Sequence, residues 1–373
     1  MAGLSLPLQI AGYVLLLLLN AVALSSEKKV CEGKVGFLFL AHGGSDMWNE
    51  IVLQAVEPLR KDHPVEIAFG MADPDTIRRG IESLERQGVD TVVVVPLFIS
   101  SHSPIIEQIK YLLGLKKDFP SKPIVMIRDE ALLPLWDALG KLPWHIRLLL
   151  IKDHEIVNET FFNSLLERYD IPNPEKLWNL YNRFKKAYRE GLKEIKPLKT
   201  RAKVLITQAL DDHPVVAEIL CSRAWELSRD PARETLIIVA HGPTEEHYNR
   251  KWIETMESIA RRCQKLTKER FGKPFRNVFS ITVRDDAPEP IYKQAEEHLR
   301  ALVRQAGEES TVIVVPLLLA PGVVEKGIEE RLKDLDYRWS GKTLLPDRRI
   351  IRFIEDVNPC KRDSPSGPEL PGG

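Results

Sequence analysis

Hydrophobic residues in this chain gather in continuous runs, and each run stops at glycine, proline or charge. "KVGFLFLAHGG", Lys34 to Gly44, opens on charge and closes on glycine, which predicts a strand buried on both faces. "WNEIVLQAVEPLRKD" then sets Ile51, Val52, Ala55, Val56 and Leu59 at helical spacing, and "HPVEIAFGMAD" supplies a second strand. "PDTIRRGIESLERQG" places Ile77, Ile81 and Leu84 on one helical face before "VDTVVVVPLFIS", a third run with no polar side. Strand, helix, strand, helix, strand predicts a parallel sheet with helices on its faces.

The later half repeats this order. "ETLIIVAHG" matches the first strand, Trp252 to Ala260 the helix, "RNVFSITVRDD" the second strand and "IYKQAEEHLRALVRQ" the second helix. "STVIVVPLLLAPG" then follows "DTVVVVPLFISSH" closely, with Pro96 and Pro316 in the same place. A period of roughly two hundred residues points to duplication into two similar domains, not to a solenoid. Between them, "EKLWNLYNRFKKAYREGLKEI" aligns Leu177, Leu180, Tyr181, Phe184 and Tyr188 along a basic amphipathic helix. This inserted layer is expected to pack on its host domain. The strand "KVLITQAL" and the helix "VVAEILCSRAWELS" close the first domain. The expected boundaries are 34–230 for the first module, with an insertion at about 129–198, and 234–357 for the second; a Pro-, Gly- and Ser-rich tail over 358–373 is expected to be disordered.

Composition sharpens this picture in three ways. Lys plus Arg, 53, balances Asp plus Glu, 53, so no global field recruits nucleic acid, and none is expected as a partner. "IAGYVLLLLLNAVAL", Ile10 to Leu24, falls short of the ~20 residues of a spanning helix and reads as a signal-peptide core with small residues at Ala21 to Ala23. Residues 1–24 are therefore expected to export the chain or anchor it, the leader being its one membrane contact; a mis-assigned start would leave the protein cytoplasmic. Cys31, Cys221, Cys263 and Cys360 lack C-x-x-C spacing and are expected to be buried or incidental thiols, a single disulfide staying open for an exported chain.

In open parallel sheets ligands bind beyond the carboxyl ends of the strands. His42 stands where the first strand ends, with Gly43 and Gly44 allowing a tight turn, and His102 follows the third strand. Two imidazoles on one edge suit a borderline divalent metal and serve as proton acceptors near neutral pH. His63, His145, His154 and His298 sit in charged or loop contexts and carry no functional expectation.

The ordered motifs "AHGG", "VEIAFGMAD" and "VVVVPLFISSHSPIIEQIKYLLG", with "LITQALDDHPVVAEIL" closing the module, resemble the CbiX-like class II chelatases, the sirohydrochlorin cobaltochelatase and ferrochelatase family. The resemblance implies an α/β fold of two chelatase-like modules, each a mainly parallel sheet with helices on both faces. It also implies ATP-independent insertion of Co2+ or Fe2+ into a sirohydrochlorin-type tetrapyrrole, the step that leads toward siroheme or cobalamin. The metal would be a substrate, with no tightly bound cofactor. By position His42 matches the family's first histidine, and His102, about two residues early, is the candidate second one. Glu107 and His213 are further candidate metal ligands; Asp211 and Asp212 beside His213 would orient its ring or cap the next helix. Gly43, Gly44, Ser100, Ser101 and His241 are candidate substrate contacts.

In the second half His241 repeats His42, but Gly322 stands where the first half has His102, so this half is expected to shape the cleft and help hold the macrocycle without transferring metal. His247 with Glu245 or Glu246 is a substitute pair, or else a solvated helix start. Two other functional classes stay open: a non-catalytic exported metal- or tetrapyrrole-binding protein, and an interaction protein with degenerate sites.

Overall fold

The computed structural model describes residues 31, 33–127, 129–142, 146–147, 150–151 and 156–361. The predicted leader, the last residues of the predicted tail, His145 and His154 lie outside the described residues. The first module runs β1 (Val35–Ala41), α1 (Asp46–Val56), β2 (Val65–Phe69), α2 (Pro74–Arg86), β3 (Thr91–Pro96) and α3 (Pro104–Leu112). Helices α4 (Leu133–Gly140), α5 (Glu159–Arg168) and α6 (Pro174–Glu194) intervene before β4 (Lys203–Ile206) and α7 (Pro214–Leu227). The second module has β5 (Glu234–Ala240), α8 (Glu246–Phe271), β6 (Asn277–Thr282), α9 (Glu289–Glu309), β7 (Thr311–Pro316), α10 (Val323–Leu332), β8 (Arg338–Trp339) and α11 (Ile350–Val357).

Each module holds one four-stranded sheet, ordered β2-β1-β3-β4 and β6-β5-β7-β8, with every pairing parallel. Strand residues alternate between two cores. Phe37, Phe39, Val93 and Val95 face a central cluster, whereas Leu38, Leu40, Val92 and Val94 face an outer one under α2 and α3. The second sheet divides likewise, with Leu236, Ile238, Ile313 and Val315 inward and Ile237, Val239, Val312 and Val314 outward. The inward sides of both sheets join one cluster through α1, α7, α8 and α11. The modules therefore share a core instead of merely touching, and each large apolar side chain fully buried in it contributes about 1.5–3 kcal/mol.

Local chemistry sets the helix starts. Ser45 caps α1 by accepting from Trp48 N at 3.3 Å, and Ser103 caps α3 by accepting from Ile106 N at 3.3 Å, with Pro104 at the first turn. The helix expected over Trp252 to Ala260 runs on to Phe271, because Cys263 and Thr267 continue its buried face until Gly272 ends it in the left-handed region.

The inserted helices form a core of their own from Leu135, Leu139, Phe162, Leu166, Tyr181 and Phe184. Helix α6 turns Leu177, Tyr181 and Phe184 into that core. At its far end Leu192 and Ile195 join the outer core of the first module, which docks the layer on its host. No helix among the described residues is long and apolar enough to cross a membrane.

The cysteines are not thiols. Cys31 pairs with Cys360 and Cys221 with Cys263, at Cα separations of 5.4 and 5.6 Å. The expectation failed because the partners lie 329 and 42 residues apart, and only the packing of α7 on α8 and of the segments flanking the two modules brings them together. The Cys221–Cys263 bond joins the first module to the second, and the Cys31–Cys360 bond ties the segment just before the first module to the one just after the second.

Candidate metal-transfer site at the His-Gly turns

His42 and His241 follow β1 and β5 and enter matching turns. Gly43 has φ 83° and Gly242 φ 69°, the left-handed region that an L side chain rarely adopts. A Cβ on Gly242 would also stand 2.5 Å from Thr282 Cβ. Each imidazole reaches the carbonyl of its following glycine, His42 Nδ1 at 2.8 Å and His241 Nδ1 at 2.9 Å. A carbonyl oxygen only accepts, so Nδ1 carries the proton in both rings and Nε2 keeps its lone pair. That is the nitrogen able to bind a metal or take a proton.

The two rings differ in surroundings. His42 is exposed; His241 is half-buried and lies edge-to-face against Trp252, centroids 4.7 Å apart. Burial holds the His241 pKa below the usual imidazole value of 6.5, opposed by the Gly242 carbonyl and by Asp286 and Asp285. His42 adds to the depression, which puts the two histidines within electrostatic reach across the modules.

The strands beside them explain the carboxylates. Gly70 N donates to His42 O at 3.1 Å where β2 ends, and Arg284 N donates to His241 O at 2.6 Å where β6 ends. After these points the first module continues with Met71 and Ala72, the second with Asp285 and Asp286. Burial raises the pKa of Asp285 against its ion pair with Arg331, whose guanidinium lies 4.4 Å over the Tyr292 ring. The acidic groups of the site therefore accompany His241.

His102 is exposed on a loop held from three sides. Ser100, buried, accepts from His102 N at 3.1 Å. Asp211 accepts from Ser101 N at 2.7 Å and from Ser101 Oγ at 2.6 Å, and that hydroxyl accepts from Ala209 N at 2.9 Å. Trp252 Nε1, from the second module, donates to His102 O at 2.9 Å. The imidazole lies near enough to Glu254 of α8 to affect its titration, after the dominant hydrogen bond from Lys251. Ser100 and Ser101, expected to touch substrate, are engaged in shaping this loop.

Other candidates have partners elsewhere. Glu107, in the first turn of α3, pairs with Lys116. His213 is itself the N-cap of α7: its Nδ1 accepts from Val215 N at 3.3 Å, Nε2 lies 3.7 Å from Asp356 and the ring packs edge-on against Phe353. Burial lowers its pKa. Asp212, considered as a cap, accepts from Ser258 Oγ at 2.6 Å. Glu245 pairs with Lys122 across the modules, Glu246 with Arg284, and the His247 ring lies against Tyr248. Among the described residues no three His, Cys, Asp or Glu side chains are gathered for a metal ion. An ion arriving here would use one or two imidazoles and keep open positions.

Sequence reasoning missed Asp285, Asp286 and Trp252. The acidic pair was legible as "RDD" at a strand end, the position already used to select histidines. Trp252 read as one more apolar position of a helix.

With this geometry the chain can be compared with known proteins. Residues 36–129 match the family model CbiX. The matched stretch is the first half of the first module, from β1 through α3. It stops where the inserted helices begin. Over 85 residues the chain is 28% identical to a sirohydrochlorin cobaltochelatase of Methanothermobacter thermautotrophicus, a stretch covering 22% of this chain and 59% of that relative. Among solved structures, SirB from Bacillus subtilis with Fe3+ aligns with a TM-score of 0.45 at 14% identity, over 84% of this chain and 89% of that one. A CbiX described as the terminal enzyme for siroheme biosynthesis in denitrifying bacteria aligns with a TM-score of 0.42 at 12% identity, over 87% of this chain and 97% of that one.

Proposed function

We propose that this protein is a chelatase that inserts a divalent metal ion, Co2+ or Fe2+, into a sirohydrochlorin-type tetrapyrrole without ATP. The observation that carries the reading is the pair of His-Gly turns, each fixing Nδ1 on a carbonyl and leaving Nε2 free, with the two histidines within electrostatic reach of each other. The CbiX match over residues 36–129 supports the same chemistry.

Metal insertion requires a macrocycle to lose two pyrrole protons as it gains the ion. His42, exposed and with few competing partners, is suited to deliver the metal, and His102 faces the same edge from the next loop. His241 is suited to accept the two pyrrole protons in turn, passing the first to solvent before it takes the second: burial keeps it neutral at pH 7, and Asp285 and Asp286 would stabilise the imidazolium each time it forms. Weak, incomplete coordination favours release of the ion into the ring. This extends the expectation from sequence, because the second module contributes a proton acceptor besides shaping the cleft. The assay is incubation of the purified protein with sirohydrochlorin and Co2+ or Fe2+, followed by absorption. Catalytic turnover supports the reading; a stoichiometric change that then stops would make the protein a tetrapyrrole- or metal-binding protein, and no change would sink both.

We also propose that it works in an oxidising compartment, reached through the apolar stretch Ile10 to Leu24. Disulfides persist under such conditions, and all four cysteines are paired. Protein recovered from the producing cells should begin near Leu24 by mass; intact chain confined to the cytosol would refute this.

A further inference from the structure

We infer that Trp252 is a positioning residue of the proposed site, tying the His102 loop of the first module to His241 of the second. The inference rests on the chelatase reading for its catalytic consequence and on geometry for the rest. The indole is almost wholly buried, with 4% of its surface exposed. It makes two contacts that differ in kind. Its N–H donates to the His102 carbonyl at 2.9 Å, and its ring lies edge-to-face on His241 at 4.7 Å. A buried indole N–H left without an acceptor is costly, so this hydrogen bond fixes the height of the His102 loop against α8. The ring meanwhile limits how far the His241 imidazole can turn.

The helix that carries Trp252 is itself held in register. Trp252, Met256, Ile259, Cys263 and Thr267 form its buried face. Cys263 is bonded to Cys221 of α7, which belongs to the first module. Sliding of α8 along the first module is therefore blocked about three turns from Trp252. The reciprocal contact is weaker: Trp48, at the start of α1, lies near Gly322, where an added Cβ would come 3.8 Å from Trp48 Cδ1. That loop has no imidazole to hold. The two modules thus each place a tryptophan on the partner's third-strand loop, and only the Trp252 contact bears on a histidine.

The test is Trp252→Phe, which keeps an aromatic ring against His241 and removes the N–H. Trp225→Phe is the matched control, since Trp225 Nε1 donates to Thr267 Oγ1 at 3.0 Å on the same helix pair, away from the site. Hydrogen exchange over Ile99 to Ser103 should accelerate about tenfold in Trp252→Phe, the scale of one lost hydrogen bond, and stay unchanged in Trp225→Phe. Chelatase kcat should fall by a similar factor with KM little changed, and adding Trp252→Phe to His102→Ala should cause little further loss. Unchanged exchange in Trp252→Phe, or equal acceleration in the control, would overturn the positioning role. Normal kcat beside accelerated exchange, or losses that add in the double variant, would overturn its catalytic consequence. If the wild-type protein shows no turnover, the chelatase reading fails while the exchange measurement still decides the geometry.

Discussion

Cutting the bond between Cys221 and Cys263 tests the packing of the two modules with a magnitude that can be worked out beforehand. The bond closes a loop with a sequence separation of 42 residues. Restricting an unfolded loop of that length is worth about 4 kcal/mol at room temperature in the chain-entropy treatment. Both cysteines are fully buried, so Cys221→Ala with Cys263→Ala leaves a small void that adds to the loss. The bond from Cys31 to Cys360 remains in that variant and limits the unfolded chain equally before and after, so it does not cancel the effect. With a urea m-value of about 3 kcal/mol/M, the unfolding midpoint should drop by roughly 1.3 M. Tryptophan fluorescence reports it directly, since Trp225 and Trp252 lie on the helices that the bond joins. Thiol titration of denatured, unreduced wild-type protein should find no free thiol. A midpoint unchanged within about 0.3 M, or free thiols mapped to Cys221 and Cys263 in the wild type, would show that α7 and α8 are not covalently joined and that the shared core holds the modules alone.

Four further outcomes are expected. On the proposed chelatase reading, His42→Ala and His241→Ala should each lower kcat about a hundredfold or more, the former by impairing metal delivery and the latter proton removal; normal kcat in His241→Ala would return the chemistry to the first module alone. Since burial depresses the pKa values of His241 and His213 below 6.5, the unfolded chain binds more protons as pH falls through that value. Their contribution to stability is complete above pH 6.5 and is lost progressively below it, a fall that His213→Asn, which keeps a capping acceptor, should lessen. The acid limb of kcat should likewise lie below 6.5; a limb at or above that value would refute His241 as the proton acceptor. Asp211→Ala removes both acceptors of Ser101 and should cost about 2–4 kcal/mol and reduce turnover, whereas equal stability by urea unfolding would show that the His102 loop is held otherwise.

Much of the architecture was legible because strand and helix signals are local. The run from Val35 to Ala41 reads as a two-sided strand from its own composition, and both faces are indeed buried. Pro104 after Ser103, and Gly272 after Phe271, carry helix boundaries in single residues. The repeated His-Gly turns were legible for the same reason: a left-handed glycine after a buried strand is a requirement of the backbone at that point.

What one module does to the other was not legible. Contacts such as Trp252 with His102, Lys122 with Glu245 and Cys31 with Cys360 span more than a hundred residues and leave no mark in either segment alone. Pattern also could not divide the polar residues near the site by role. Asp211 and Asp212 looked alike, yet one holds Ser101 and the other accepts from Ser258, while His213 between chain and helix became the cap itself. The sequence by itself determined the two parallel sheets, the paired turns and the histidines at the strand ends, since these follow from neighbours along the chain. Only the tertiary structure decided that the sheets share one core, that a disulfide locks them together and that the carboxylates accompany His241, because burial and partner choice depend on what distant segments bring to the same place.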